Sequence, residues 1–126
     1  MGFLPPEDHR YLTDKGITFE EVEDGAQKGI ILRNHTLPTG RFDALAADIL
    51  ILLPSGYSDV PPDMFHTMPW IKLMPVGRYP KAADQPVPFA GQQWQRWSRH
   101  NNEWRAGVDG IWTMLKRIDN ALAVAI

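Results

Sequence analysis

Hydrophobic spacing is clearest at the end of the chain. In "GVDGIWTMLKRIDNALAVAI", Ile111, Leu115, Ile118 and Leu122 fall on one helical face, and Val108 and Ala125 extend it. Lys116, Arg117, Asp119 and Asn120 fall mostly elsewhere, so the pattern predicts an amphipathic helix over 108–125. "LAADILILLP" is apolar almost throughout and stops at Pro54; it is short for a helix and reads as a central strand covered on at least one face. "ITFEEVEDG" and "KGIILRNHTLP" read as two strands separated by Glu23, Asp24 and Gly25. "MFHTMPWIKLM" reads as a fourth strand, bent or finished near Pro69. Strands that follow one another without intervening helices favour an antiparallel meander. At the start, "LPPEDHRYLTDKGI" predicts a short helix, with Pro5 and Pro6 in its first turn, Glu7 and Asp8 facing its dipole, and Lys15-Gly16 closing it. Residues 75–91 carry four prolines and little periodicity, which predicts an irregular flap. The expected fold is a single α+β domain over 1–126: an N-terminal helix, a four-stranded antiparallel meander, an irregular flap and a C-terminal helix.

Composition narrows the chemistry. A chain of 126 residues with net charge −2 gives no bulk electrostatic reason to bind nucleic acid or a membrane surface. It has no cysteine, which excludes disulfides, thiolate metal sites and a cysteine nucleophile within it. The start shows no signal peptide and no apolar run approaches a membrane span, so a cytoplasmic domain is expected. His9, His35 and His66 lack the spacing of a metal motif, and "GRFDALAAD" lacks the Lys-Ser/Thr of a phosphate loop, so no metal or cofactor is expected.

The stretch "WQRWSRHNNEW" concentrates aromatic and polar side chains. Trp94 and Trp97, three apart, could share a helical face and, with Arg96 and Arg99, form a cation–π rim for a partner. Alternation with basic residues also fits single-stranded nucleic acid, against which the net charge and the shortness of the cluster argue. Trp104 and Trp112 are expected in the core. Asp59 and Asp63 flank Pro61-Pro62 as turn residues, or could position an incoming lysine.

Three segments in order carry a resemblance. "LPTGRFDALAADILI", "ILILLPSGYSDVPPDMF" and "EWRAGVDGIWTMLKRIDNAL" resemble segments of ubiquitin-conjugating enzymes, with Tyr57, Pro61, Pro62 and Trp104 on family positions. Ser58 and Ala106 stand where proline is usual. The Trp-rich segment and the Tyr57–Phe65 loop are most similar to a bacterial branch, the prokaryotic ubiquitin-conjugating-like family E. The resemblance implies the ubiquitin-conjugating fold, a ubiquitin-like protein and an adenylating activating enzyme as partners, an unidentified target protein, and a link to antiphage defence. It implies His9, Arg10 and Lys15 of the N-terminal helix region as contacts for the activating enzyme.

The departures shape the chemistry. The family's His-Pro-Asn turn is absent, with Met68-Pro69-Trp70 in its region, and the window of its cysteine reads Arg96-Trp97-Ser98-Arg99-His100. Ser98 is the sole hydroxyl between Tyr79 and Thr113. It could carry a protein tail as an oxyester if the acyl donor is already activated and a base takes its proton. His100 could be that base, sharing a face with Ser98 if the segment is a strand, and Asn101 or Asn102 could supply the missing amide. Two other readings stand beside this one: a non-catalytic scaffold of the same fold, and a peptide- or nucleic-acid-binding module.

Overall fold

The computed structural model describes residues 2–100 and 103–126. Eight elements follow in order: α1 (Pro6–Asp14), β1 (Phe19–Asp24), β2 (Gln27–Thr36), β3 (Ala46–Leu53), β4 (Phe65–Met68), β5 (Gln85–Phe89), β6 (Gln92–Trp97) and α2 (Ile111–Val124). The strands form one sheet in the order β1-β2-β3-β4-β6-β5, antiparallel at every pairing. The first four make the expected meander. After β4 the chain passes to the far edge, forms β5, and returns as β6 between β5 and β4.

Two faces follow from the period of two along each strand. Ile30, Leu32, Ile49 and Ile51 point to the main core with Leu12 of α1 and Ile111, Leu115, Ile118 and Leu122 of α2. The interleaved Ile31 and Leu50 point the other way, to a smaller cluster with Phe89 and Trp94. The alternation explains why β3 reads as apolar throughout: both of its faces are covered. Helix α1 packs beside α2, with the Tyr11 and Trp112 rings 5.9 Å apart.

The sheet therefore has six strands where four were expected, and the flap holds one of the extra two. β5 is "QPVPF". Proline is tolerated on an edge strand, where alternate N–H groups have no ladder partner, and β5 is an edge. β6 escapes the pattern because Gln95, a polar residue, is fully buried within it. Gln95 accepts from Thr67 Oγ1 at 2.8 Å and Ile71 N at 2.7 Å, and donates to the carbonyls of Ile71 at 3.0 Å and Ala83 at 2.8 Å. All four hydrogen-bonding capacities of its amide are met, which makes its burial affordable. The side chain binds the turn after β4 and the approach to β5 to the middle of the sheet.

Helix α2 starts at Ile111 rather than 108, and Val108 is exposed. Asp109 marks the boundary: it accepts from Arg105 N at 2.8 Å and Thr113 Oγ1 at 3.0 Å. The Arg105 amide and guanidinium, with the Thr113 hydroxyl, hold its carboxyl below the ordinary carboxylate range. Next to it, Gly110 is needed for space: a Cβ there would lie 2.7 Å from Asp8 Oδ1 and 2.6 Å from the Trp112 ring.

Candidate functional site

The 54–64 loop and the 98–100 segment meet at the end of the β4–β6 pair. β4 and β6 align Phe65 with Trp97, and their rings stack at 5.3 Å. The residues on either side, Met64 and Ser98, are thereby brought together. Ser98 lies just past β6, half-buried. Its amide donates to Ala82 O at 3.1 Å, and its hydroxyl is directed at Met64 Sδ, 3.5 Å away. Thioether sulfur is a weak acceptor, so this contact holds the hydroxyl only lightly.

His100 is exposed, and its Nδ1 lies 3.0 and 3.1 Å from the two carboxylate oxygens of Asp63. An Nδ1–H donated to Asp63 leaves Nε2 as the ring's acceptor, with no partner among the described residues. No hydrogen bond joins Ser98 to His100 among the described residues. The strand ends at Trp97, so residues 98 and 100 do not share a face by strand geometry. Asp63 is the residue that sequence reasoning missed in this role. It lies 37 positions from His100, and only the β4–β6 pairing brings the two together.

Arg99 is fixed between them. It donates to Ser98 O at 3.1 Å and Lys81 O at 3.2 Å, and lies over the Trp97 ring at 5.3 Å. Beside it a groove of about 210 Å³ runs toward α2, lined by Phe65, Arg99, His100, Met114 and Arg117 among others. Its charged lining is cationic, which suits an approaching anionic group.

Trp94 and Trp97 do not form the expected rim. Both are fully buried, because three positions along a strand place them on opposite faces: Trp97 in the main core and Trp94 in the smaller cluster. Their N–H groups are used internally, on Thr67 Oγ1 at 3.0 Å and Phe89 O at 3.3 Å. Bases have no stacking platform on these rings. Trp104 and Trp112 are half-buried against the main core, and Trp104 donates to Ser58 O at 2.8 Å. His9 and Arg10 on α1 and Lys15 just beyond it are exposed. Asn101 lies outside the described residues.

Near its start the same loop is tied to α1. Tyr57 donates its hydroxyl to buried Asp8 at 2.6 Å. Burial pushes both groups up: the Asp8 carboxyl above its ordinary range, and the Tyr57 phenol far above its own, with the carboxylate adding to the latter.

Among the described residues no helix is long and apolar enough to cross a membrane. A family model described as prokaryotic E2 family E matches residues 4–125. No curated protein and no solved structure matches the chain. The two helices and antiparallel sheet agree with an E2-like α+β fold, and that family type implies in general a role in ubiquitin-like conjugation, with ubiquitin-like proteins and activating enzymes as the kind of partner. Matched over nearly its whole length, the chain belongs to prokaryotic E2 family E.

Proposed function

We propose that this protein receives a ubiquitin-like protein from an adenylating enzyme in the cytoplasm, holds it as an ester on Ser98, and passes it to a target. The observation that supports this most is the Asp63–His100 pair beside Ser98. In the proposed step the Ser98 oxygen attacks the carbonyl carbon of the acyl adenylate. AMP leaves with the bonding electrons, and the hydroxyl proton passes to His100 Nε2. Asp63 holds the other ring nitrogen protonated and steadies the imidazolium that forms. Ser98 reaches this arrangement by turning its hydroxyl from the Met64 sulfur, a light contact to give up. Asn101 supplies an amide for the developing oxyanion, and His9, Arg10 and Lys15 meet the activating enzyme.

The test mixes the protein with its activating enzyme, ATP and the ubiquitin-like partner. A covalent adduct should form that resists neutral thiol and is cleaved by mild alkali. Ser98→Ala should abolish it, and His100→Ala should slow its formation by about 10²–10⁴-fold. An adduct that persists in Ser98→Ala overturns the assignment.

A second reading is a non-catalytic scaffold for the same partners. It is favoured by the direction of the Ser98 hydroxyl, which faces Met64 rather than His100. Complex formation without any adduct in an otherwise active mixture would select it.

A further inference from the structure

The sheet face turned away from the helices carries a second hollow, of about 470 Å³. Its walls include Lys28, Leu52, Met64, His66, Val87 and Arg96. The strand register builds it: Leu50 of β3 opposes His66 of β4, and His66 opposes Arg96 of β6. These three side chains therefore stand in a row on one face.

The charges in this row are unbalanced. Arg96 enters no ion pair among the described residues. Lys28 borders the hollow, but its ammonium lies over the Phe3 ring at 5.5 Å, toward the helix side of the sheet. The Arg96 Nε–H is shut off from solvent and has no hydrogen-bond partner among the described residues. A ligand in the hollow cannot reach that N–H, but the half-buried guanidinium lines the hollow and its Nη atoms also lack a partner among the described residues, so an acceptor from outside can meet them. Asp63, the acid on the same wall, is engaged by His100. His66 adds no charge of its own. Its Nδ1 lies 3.2 Å from Leu50 O, and burial, opposed by that carbonyl and aided by Arg96, pushes it down to about 4. It stands there as a neutral imidazole. The charged groups that share its surroundings are Arg96 from β6 and, around the hollow, Lys28 and Asp63.

We infer that this hollow binds a monoanionic carboxylate carried on an apolar stem, with Arg96 as its ion partner and the stem against Leu52, Met64 and Val87. A planar guanidinium with a free edge matches a planar carboxylate. The apolar walls suit a hydrocarbon stem and disfavour a strongly hydrated dianion, as does the neighbouring Asp63. A free aliphatic acid and the chain end of an apolar peptide share this chemistry. The inference does not depend on Ser98 being acylated.

The experiment titrates the full-length protein with hexanoate, N-acetyl-Ala-Leu, the amide of that dipeptide, hexanol and inorganic phosphate, reading the Arg96 Nε–H and His66 ring resonances by NMR. Hexanoate or the dipeptide acid should saturably shift the Arg96 signal and move the His66 titration to higher pH, since a bound anion opposes Arg96. The amide and hexanol should do neither. Response to hexanoate alone identifies a free acid, and response to the dipeptide alone identifies a chain end. Arg96→Gln should weaken binding about tenfold or more, as when one partner of a partly buried charge pair is lost. If Arg96→Gln does not fold, Arg96→Lys and the wild-type His66 titration decide the matter: lysine keeps the charge without the planar edge and should bind both acids more weakly than the wild type. Equal binding of hexanol would reduce the hollow to an apolar patch, and equal binding of phosphate to a plain anion site. Either result overturns the inference, as does the absence of saturation by both acids.

Discussion

The loop between β3 and β4 is tied down at two points by a carboxylate. Near its start Tyr57 meets Asp8, which is 2% exposed and lies against the first turn of α2. Near its end Asp63 meets His100, with side chains 56% and 63% exposed. The same pairing of a carboxylate with a ring donor does different work in the two places. At Asp8 solvent cannot replace a lost partner, so the contact locks α1, the loop and α2 together. At Asp63 water can replace either partner, so the contact adds little to stability and leaves the imidazole open to reactants. Buried polar groups here serve architecture, and exposed ones remain available for chemistry.

Three measurements would break or sharpen that contrast. Asp8→Ala should have the largest effect, up to about 3 kcal/mol in chemical denaturation, because it leaves the partly buried Tyr57 hydroxyl without its acceptor. A loss below that of an ordinary surface substitution would remove the distinction.

His66 extends the contrast to pH. Its folded pKa is lowered from 6.5 to about 4, so the unfolded chain binds the extra proton first. The stability tied to its neutral form is complete above pH 6.5 and is lost as pH falls toward 4, by about 2–3 kcal/mol. Asp8 runs the other way. Its pKa is raised above 3.8, so the stability tied to its protonated form is present below that value and lost as pH rises through the raised one. His66→Leu should therefore flatten the acid arm of a melting-temperature profile between pH 7 and pH 4, or reverse it. An unchanged arm would show that His66 is not the proton acceptor.

The smallest effect belongs to Asp63→Ala, which should change stability by no more than about 0.5 kcal/mol. Its adduct formation should nevertheless slow toward that of His100→Ala. A large stability loss, or an unaffected rate, would make the two carboxylates equivalent after all.

Much of the fold was legible because its signals are local. Ile111, Leu115, Ile118 and Leu122 repeat at helical spacing, and all four are buried. The turns that separate β1, β2 and β3 carry their own glycine and proline markers. β5 and β6 were not legible: prolines 86 and 88 argue against a strand unless its edge position is known, and Gln95 breaks the alternation from inside the core. Spacing alone also misassigned Trp94 and Trp97, because a separation of three means one face on a helix and opposite faces on a strand. For the candidate site, the sequence brought forward Ser98 and His100 but not Asp63 as the partner of the imidazole. That pairing depends on β4 and β6 meeting across the sheet, a contact between distant segments that no local pattern encodes.

The Gln95 amide has a consequence for how the molecule opens. Its four hydrogen bonds join Thr67, Ile71 and Ala83 to β6, so the hairpin cannot peel from β4 one bond at a time. Residues 65–97 should behave as one cooperative unit, with slow amide exchange shared between β4 and β6 and faster exchange at the exposed tip of the β1–β2 hairpin. Ser98 hangs directly from the end of that unit through its bond to Ala82. The candidate nucleophile thus rides on the slow-opening part of the protein, while His100, held from the exposed side by Asp63, can fluctuate without unfolding anything.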